Sequence, residues 1–210
     1  MARSRPEAAG TQPALRHVVA AYRVSVVSVA WTVCTSAIAI VIGVSGNAAV
    51  FVALGAVGLV DAVGSITLGV HFRDALRNAT LSERRERLAH QVVLVCLGAV
   101  GASAVVIGVL RLVQHDRGGD PPVGVVLAVV SMVALFVLSR RKVRIAALVA
   151  SDALRADGHL SAIGAAQSAV ALLGTAAIRE LSWTWADALA TAVVGAVAVA
   201  LAIAGWLGVE

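Results

Sequence analysis

The chain has 210 residues, of which 60% are hydrophobic and 14% are charged, and it carries a formal net charge of +5. Because soluble domains are only about 45 to 50% apolar, this composition, with a mean hydropathy of +0.91, excludes an ordinary soluble protein and predicts an integral membrane protein. The positive charge does not indicate nucleic-acid binding, since the basic residues are concentrated in particular connections between apolar stretches.

Six apolar stretches follow one another along the chain, each close to or above the roughly 20 residues that a helix needs to cross a bilayer. They predict an all-α fold, a polytopic membrane protein built as a six-transmembrane-helix bundle. Residues 1–23 are expected to form a cytosolic N-terminal tail and residues 24–210 the transmembrane domain, with no C-terminal cytosolic domain. The predicted helices cover residues 24–44, 48–70, 91–113, 121–139, 145–178 and 184–207.

The basic residues predict the orientation of this bundle. They concentrate in the N-terminal tail and in the second and fourth connections, the last of which contains Arg140, Arg141, Lys142 and Arg144. Because cytosolic loops are enriched in Lys and Arg, both termini are expected in the cytosol of a multi-pass plasma-membrane protein. In the second connection the charges alternate at helical spacing, so the second and third helices are expected to extend beyond the membrane there.

Asp61 is a single carboxylate near the middle of the second apolar stretch. An ionisable side chain at that depth is costly and is a functional candidate by default. One interpretation is a protonated or hydrogen-bonded packing residue, held by Ser65 one turn along or by Gln167 or Ser168 across the bundle. The other is a site for a cation or a proton.

A second polar segment, residues 151–168, opens the predicted fifth helix and includes Asp157 and His159. The predicted helix is longer than the hydrocarbon core, which places this segment at the cytosolic boundary. The two side chains are therefore either solvated at the membrane surface or part of a site. The sequence contains no nucleophile triad, phosphate loop or paired-cysteine motif, so we expect neither an enzyme nor a bound cofactor.

Six spans, cytosolic termini, a carboxylate in helix two and the stretch ALVASDALRADGHLSAIGAAQSAVALLG in helix five together resemble the transmembrane domain of the cation diffusion facilitator family. The resemblance implies proton-coupled transport of a divalent cation such as zinc, cobalt, iron or manganese, through ligands from helices two and five. The family's ligand positions in helix five fall on Leu160 and Gly164, which cannot coordinate a metal. The metal site would then be rebuilt from Asp61, Asp157 and His159.

Two functions follow from this resemblance. The first is a cation efflux transporter, an antiporter whose partners are the lipid bilayer, the transported cation, protons and, in a homodimer, a second copy. The second is a degenerate family member that no longer transports metal and acts as a membrane scaffold or interaction protein. The loss of the family's ligands supports the second function, and the buried carboxylate Asp61 supports the first.

Overall fold

The computed structural model of the protein describes residues 15–45, 49–78, 82–114, 122–181 and 186–208. These residues are almost entirely helical, as the composition predicts. The six helices are α1 (Leu15–Ser45), α2 (Ala49–Asn78), α3 (Glu83–Gln114), α4 (Pro122–Val149), α5 (Asp152–Leu181) and α6 (Ala186–Leu207).

Length and composition make three of the described helical segments suitable for crossing a membrane: Leu15–Ile42, Glu83–Val113 and Ala188–Leu207. The structure thus agrees with a helical membrane protein. The charged extension predicted for the second connection is confirmed as helix, because α2 continues to Asn78 and α3 begins at Glu83. An ion pair between Asp74 and Arg85 joins these two ends.

The first helix begins earlier than predicted, at Leu15 instead of near residue 24. The reason is packing, because Val18 and Ala21 lie almost completely buried in the core. Residues 15–23 of the predicted tail are therefore helical, whereas its residues 1–14 lie outside the described part of the chain.

The boundary between the fourth and fifth helices also differs from the prediction. Residues 140–149 belong to α4, and the chain turns at Ala150 and Ser151, where Ala150 has a φ of 52°. The Ser151 amide donates to the Ala146 carbonyl at 3.1 Å, the bond that closes a Schellman motif. Ser151 Oγ accepts from the Leu154 amide at 3.1 Å and so caps α5. The predicted start of the fifth helix at residue 145 is wrong for this reason.

The helices pack as three close pairs, α1 with α2, α3 with α6, and α4 with α5. In the α3–α6 pair, Gly101 lies against Gly195 and Val199, while Gly108 lies against Ala188 and Ala192. A higher residue number on α3 thus meets a lower one on α6, so the pair is antiparallel. Small residues at these contacts let the backbones approach closely, which is how helices associate without water to drive them together.

We expect Gly101→Ala to destabilise the protein by about 1 to 3 kcal/mol. A Cβ at this position would lie 2.8 Å from the Gly195 carbonyl oxygen and 2.8 Å from the Val199 nitrogen, and neither backbone atom can turn aside. The measurement is the thermal midpoint in detergent. Gly69→Ala is the matched control, because nothing lies within 4 Å of its added Cβ. Equal midpoints for the two variants would contradict the α3–α6 packing.

Candidate functional site

An ion pair between α4 and α5 lies inside the bundle. The Lys142 and Asp157 side chains are both 0% exposed, and Lys142 Nζ lies 2.7 Å from Asp157 Oδ2. Gly158 lets the helices approach here, because a Cβ on it would lie 2.7 Å from Val143 Cγ2. The assignment of Lys142 to the connection between the fourth and fifth helices is therefore wrong, because it is a buried residue of α4.

Three oxygen atoms surround the Lys142 ammonium group. Besides its ion pair with Asp157, it donates to Ser161 Oγ at 2.8 Å and to Ser65 Oγ at 3.3 Å. An ammonium group has three protons and no acceptor, so these contacts satisfy it. A buried ion pair is stable only when such additional hydrogen bonds are present, and this site provides them from α2 and α5.

Ser65 connects this ion pair to the other helices. Its hydroxyl donates to Asp157 Oδ1 at 2.9 Å and accepts from Lys142. Ser28 Oγ lies 3.3 Å from Ser65 Oγ. Because the single proton of Ser65 goes to Asp157, Ser28 is the donor in this contact. One hydroxyl group thus contacts side chains of α1, α4 and α5.

Asp61 has fewer hydrogen-bond and ion-pair partners than Asp157. It is half-buried on α2, and its Oδ2 accepts one long hydrogen bond of 3.5 Å from Thr32 Oγ1 on α1. Its Oδ1 is buried and has no hydrogen-bond partner. The hydroxyl of Ser65 is donated to Asp157 and that of Ser168 to the Gly164 carbonyl, so neither serine donates to Asp61. Asp61 is close enough to interact electrostatically with Lys142 and Asp157.

His159, the third predicted site residue, is half-buried on α5, and its Nδ1 is buried without a hydrogen-bond partner. Within the described ranges, no group of three or more His, Cys, Asp or Glu side chains is placed to hold a metal ion. The structure thus brings Asp61 and Asp157 into one electrostatic group with Lys142, but it does not assemble Asp61, Asp157 and His159 as a ligand set. Metal binding stays a prediction.

The position of Lys142 on α4 could have been found in the sequence. Ser139 lies three residues before it, and Ala146 and Val149 lie four and seven residues after it, so all three share one helical face with it. All of them are buried, whereas the neighbouring Arg141 is exposed. The helical period therefore separates Lys142 from the arginines beside it, although composition alone groups them together.

A second polar cluster at the end of the bundle was not expected from the sequence. Glu86 Oε1 accepts from Ser151 Oγ at 2.7 Å and from the Ala153 amide at 3.1 Å. Its Oε2 lies 2.9 Å from Nε2 of the buried His71. One carboxylate of α3 therefore contacts α2, the α4–α5 turn and the start of α5, which carries Asp157.

We expect Glu86→Ala to lower the free energy of unfolding by about 2 to 3 kcal/mol, because it removes hydrogen bonds to a charged group and leaves buried donors without a partner. Glu83→Ala is the matched control, since Glu83 is an exposed acid in the same first turn of α3. Its removal costs only the interaction of one carboxylate with the helix dipole, which Glu86→Ala loses as well. Denaturant unfolding in detergent measures both. A Glu86→Ala effect no larger than that of Glu83→Ala would show that the cluster does not join the helices.

No family model, curated protein or solved structure matches the chain.

Proposed function

We propose that this chain is a multi-pass membrane transporter that exchanges cations for protons at a site formed by Asp61, Lys142 and Asp157. The observation that carries the proposal is the buried, unpartnered Asp61 Oδ1 beside the saturated Lys142–Asp157 pair. Ionisable groups inside a membrane bundle are expensive, and paired ones of this kind mark ion and proton pathways. Asp61 is the member of the group that has coordination capacity left.

In this proposal all six helices cross the plasma membrane, with both termini in the cytosol. The helices α2, α4 and α5 have 30, 28 and 30 residues, and a helix of that length exceeds a hydrocarbon core of about 30 Å. Each is a member of one of the close pairs. The abundance of basic residues in the N-terminal segment, around the α2–α3 connection and at the end of α4 supports the orientation.

Charge balance determines how many protons the site exchanges for one cation. With Asp61 protonated, Asp157 ionised and Lys142 charged, the site is neutral. A divalent cation can bind both carboxylates without adding net charge to the membrane interior if two protons leave the site. Asp61 releases one because a carboxyl group binds metal in its deprotonated form, and Lys142 releases the other because its positive charge would otherwise remain beside the cation. Lys142 then acts as an internal cation that occupies Asp157 whenever the substrate is absent.

The resemblance to cation diffusion facilitators supports a divalent substrate such as zinc, cobalt, iron or manganese. His159 lies two residues after Asp157 and has an unpartnered Nδ1, so it supplies a further donor if α5 rotates during transport. Imidazole and carboxylate groups are suitable ligands for these metals.

A non-transporting membrane scaffold is the second candidate, and one observation favours it. Lys142 already provides Asp157 with a permanent cation, and the ammonium is satisfied by Ser65 and Ser161. A site whose charges are paired in this way can serve solely to fix the arrangement of α2, α4 and α5.

Reconstitution distinguishes the two functions. The purified full chain is placed in liposomes that contain a pH-sensitive dye, and gradients of zinc, cobalt, iron and manganese are imposed one at a time. Transport predicts proton flux above that of empty liposomes for at least one cation, saturating with its concentration. The scaffold function predicts the same flux as empty liposomes for all four, together with no saturable binding in calorimetry.

A further inference from the structure

A groove with a volume of about 840 Å³ runs between α4 and α5 on the surface of the protein. One wall is formed by Met132 and Phe136 of α4, and Phe136 is 58% exposed. Ala162, Ala166 and Ala169 of α5 form the opposite wall. Because these alanine side chains are short, the groove is open along α5, and its apolar lining suits a hydrocarbon chain.

Two arginines lie in the lining of the same groove. Arg140 and Arg144 are one helical turn apart on α4, and both are exposed. Neither of them takes part in the ion pairs that the described residues form between Arg85 and Asp74, between His71 and Glu86 and between Lys142 and Asp157. None of the lining residues within the described part of the chain is acidic. Two guanidinium groups at this spacing can bind one phosphate group from both sides.

We propose that the α4–α5 groove binds an anionic phospholipid, with an acyl chain along Met132 and Phe136 and the phosphate between Arg140 and Arg144. The charge complementarity selects the occupant, because basic pockets between helices on the cytosolic side bind anionic lipid headgroups. The proposal rests on the membrane location of the chain and not on transport.

A second copy of the chain fits the groove less well. Copies related by a two-fold axis along the membrane normal would place this groove against itself at the same depth. Arg140 and Arg144 of one copy would then face the same residues of the other copy, and like charges across an interface cost affinity. An anionic lipid removes that repulsion, whereas a second copy creates it.

The proposal is tested with the purified full chain in detergent by native mass spectrometry, titrating dioleoyl phosphatidylglycerol against dioleoyl phosphatidylcholine. We expect phosphatidylglycerol to bind more tightly, and Arg140→Gln/Arg144→Gln to weaken its binding by about tenfold or more. The control Arg87→Gln/Arg141→Gln removes the same number of exposed charges outside the groove and should retain binding within about twofold.

Further measurements distinguish a bound lipid from unspecific surface attraction, a free phosphate site and a second copy of the chain. Ala166→Leu, which fills the groove without changing charge, should also weaken lipid binding. Equal weakening by the two charge-removing variants would overturn the proposal in favour of unspecific surface attraction. Displacement of the lipid by glycerol phosphate alone would overturn it in favour of a free phosphate site. The proposal would be overturned in favour of a second copy if the unchanged protein were a dimer without lipid preference and Ala166→Leu made it a monomer.

Discussion

The variant Lys142→Met is expected to lower the free energy of unfolding by about 3 to 5 kcal/mol, the range measured when one partner of a buried ion pair is removed. Methionine replaces the apolar stem of lysine with one of the same number of heavy atoms but leaves Asp157, which is 0% exposed, without a compensating charge. It also removes the donor to Ser161 and Ser65. Denaturant unfolding in detergent, followed by circular dichroism, measures the difference.

Two comparisons separate the ion pair from the loss of a basic residue. Arg141→Met removes the adjacent exposed charge and should change stability by no more than about 0.5 kcal/mol. The double variant Lys142→Met/Asp157→Asn should recover much of the loss, because no unpaired charge then remains in the interior. The buried pair would be refuted if Lys142→Met were as stable as Arg141→Met. It would also be refuted if the double variant lost as much stability as Lys142→Met and Asp157→Asn together.

The variant Asp61→Asn is expected to reduce cation-driven proton flux in liposomes to the level of empty vesicles while the protein remains folded. Asparagine has nearly the same shape as aspartate and can still accept a hydrogen bond from Thr32, but it can neither ionise nor carry a proton. The substitution therefore removes the ability to carry a proton, on which the flux should depend, and leaves the shape of the side chain in place. The initial rate of dye response under a zinc, cobalt, iron or manganese gradient measures it.

The matched control for transport is Asp152→Asn, an exposed carboxylate in the first turn of α5, which should leave the flux unchanged. Thr32→Val keeps the carboxylate and removes its hydrogen bond, so it should alter the concentration dependence without abolishing flux. If Asp61→Asn transported as fast as Asp152→Asn, Asp61 would be a packing residue and the exchange site would lie elsewhere.

The helices were predictable because crossing a bilayer requires long apolar segments, and each stretch has the necessary length and apolar composition. The turn at Ala150 was not. A left-handed residue at a helix end is usually glycine, whereas Ala150 continues the apolar pattern of α4, and only the cap formed by Ser151 signals the new helix. In α1, the start at Leu15 depends on the burial of Val18 and Ala21, which is a tertiary contact.

The sequence singles out two members of the candidate site for different reasons. Asp61 interrupts an apolar stretch, and Asp157 lies in a polar segment that opens a predicted membrane helix. Lys142 lies beside exposed arginines, so its partner across α5 is visible only once the packing of α4 and α5 is known. Glu86 lies in a charged segment that looks solvated, and its contacts with His71 and Ser151 come from residues distant in sequence.

The position of Ser65 has a consequence for how the protein can move. Ser65 belongs to the α1–α2 pair, yet its hydroxyl donates to Asp157 and accepts from Lys142 of the α4–α5 pair. If the two pairs rocked against each other to open the site alternately to either face of the membrane, this hydroxyl would have to exchange both partners. Separating Lys142 from Asp157 and changing the direction of access would then be one event, so a cation that displaced Lys142 from Asp157 would also change the side of the membrane to which the site opens.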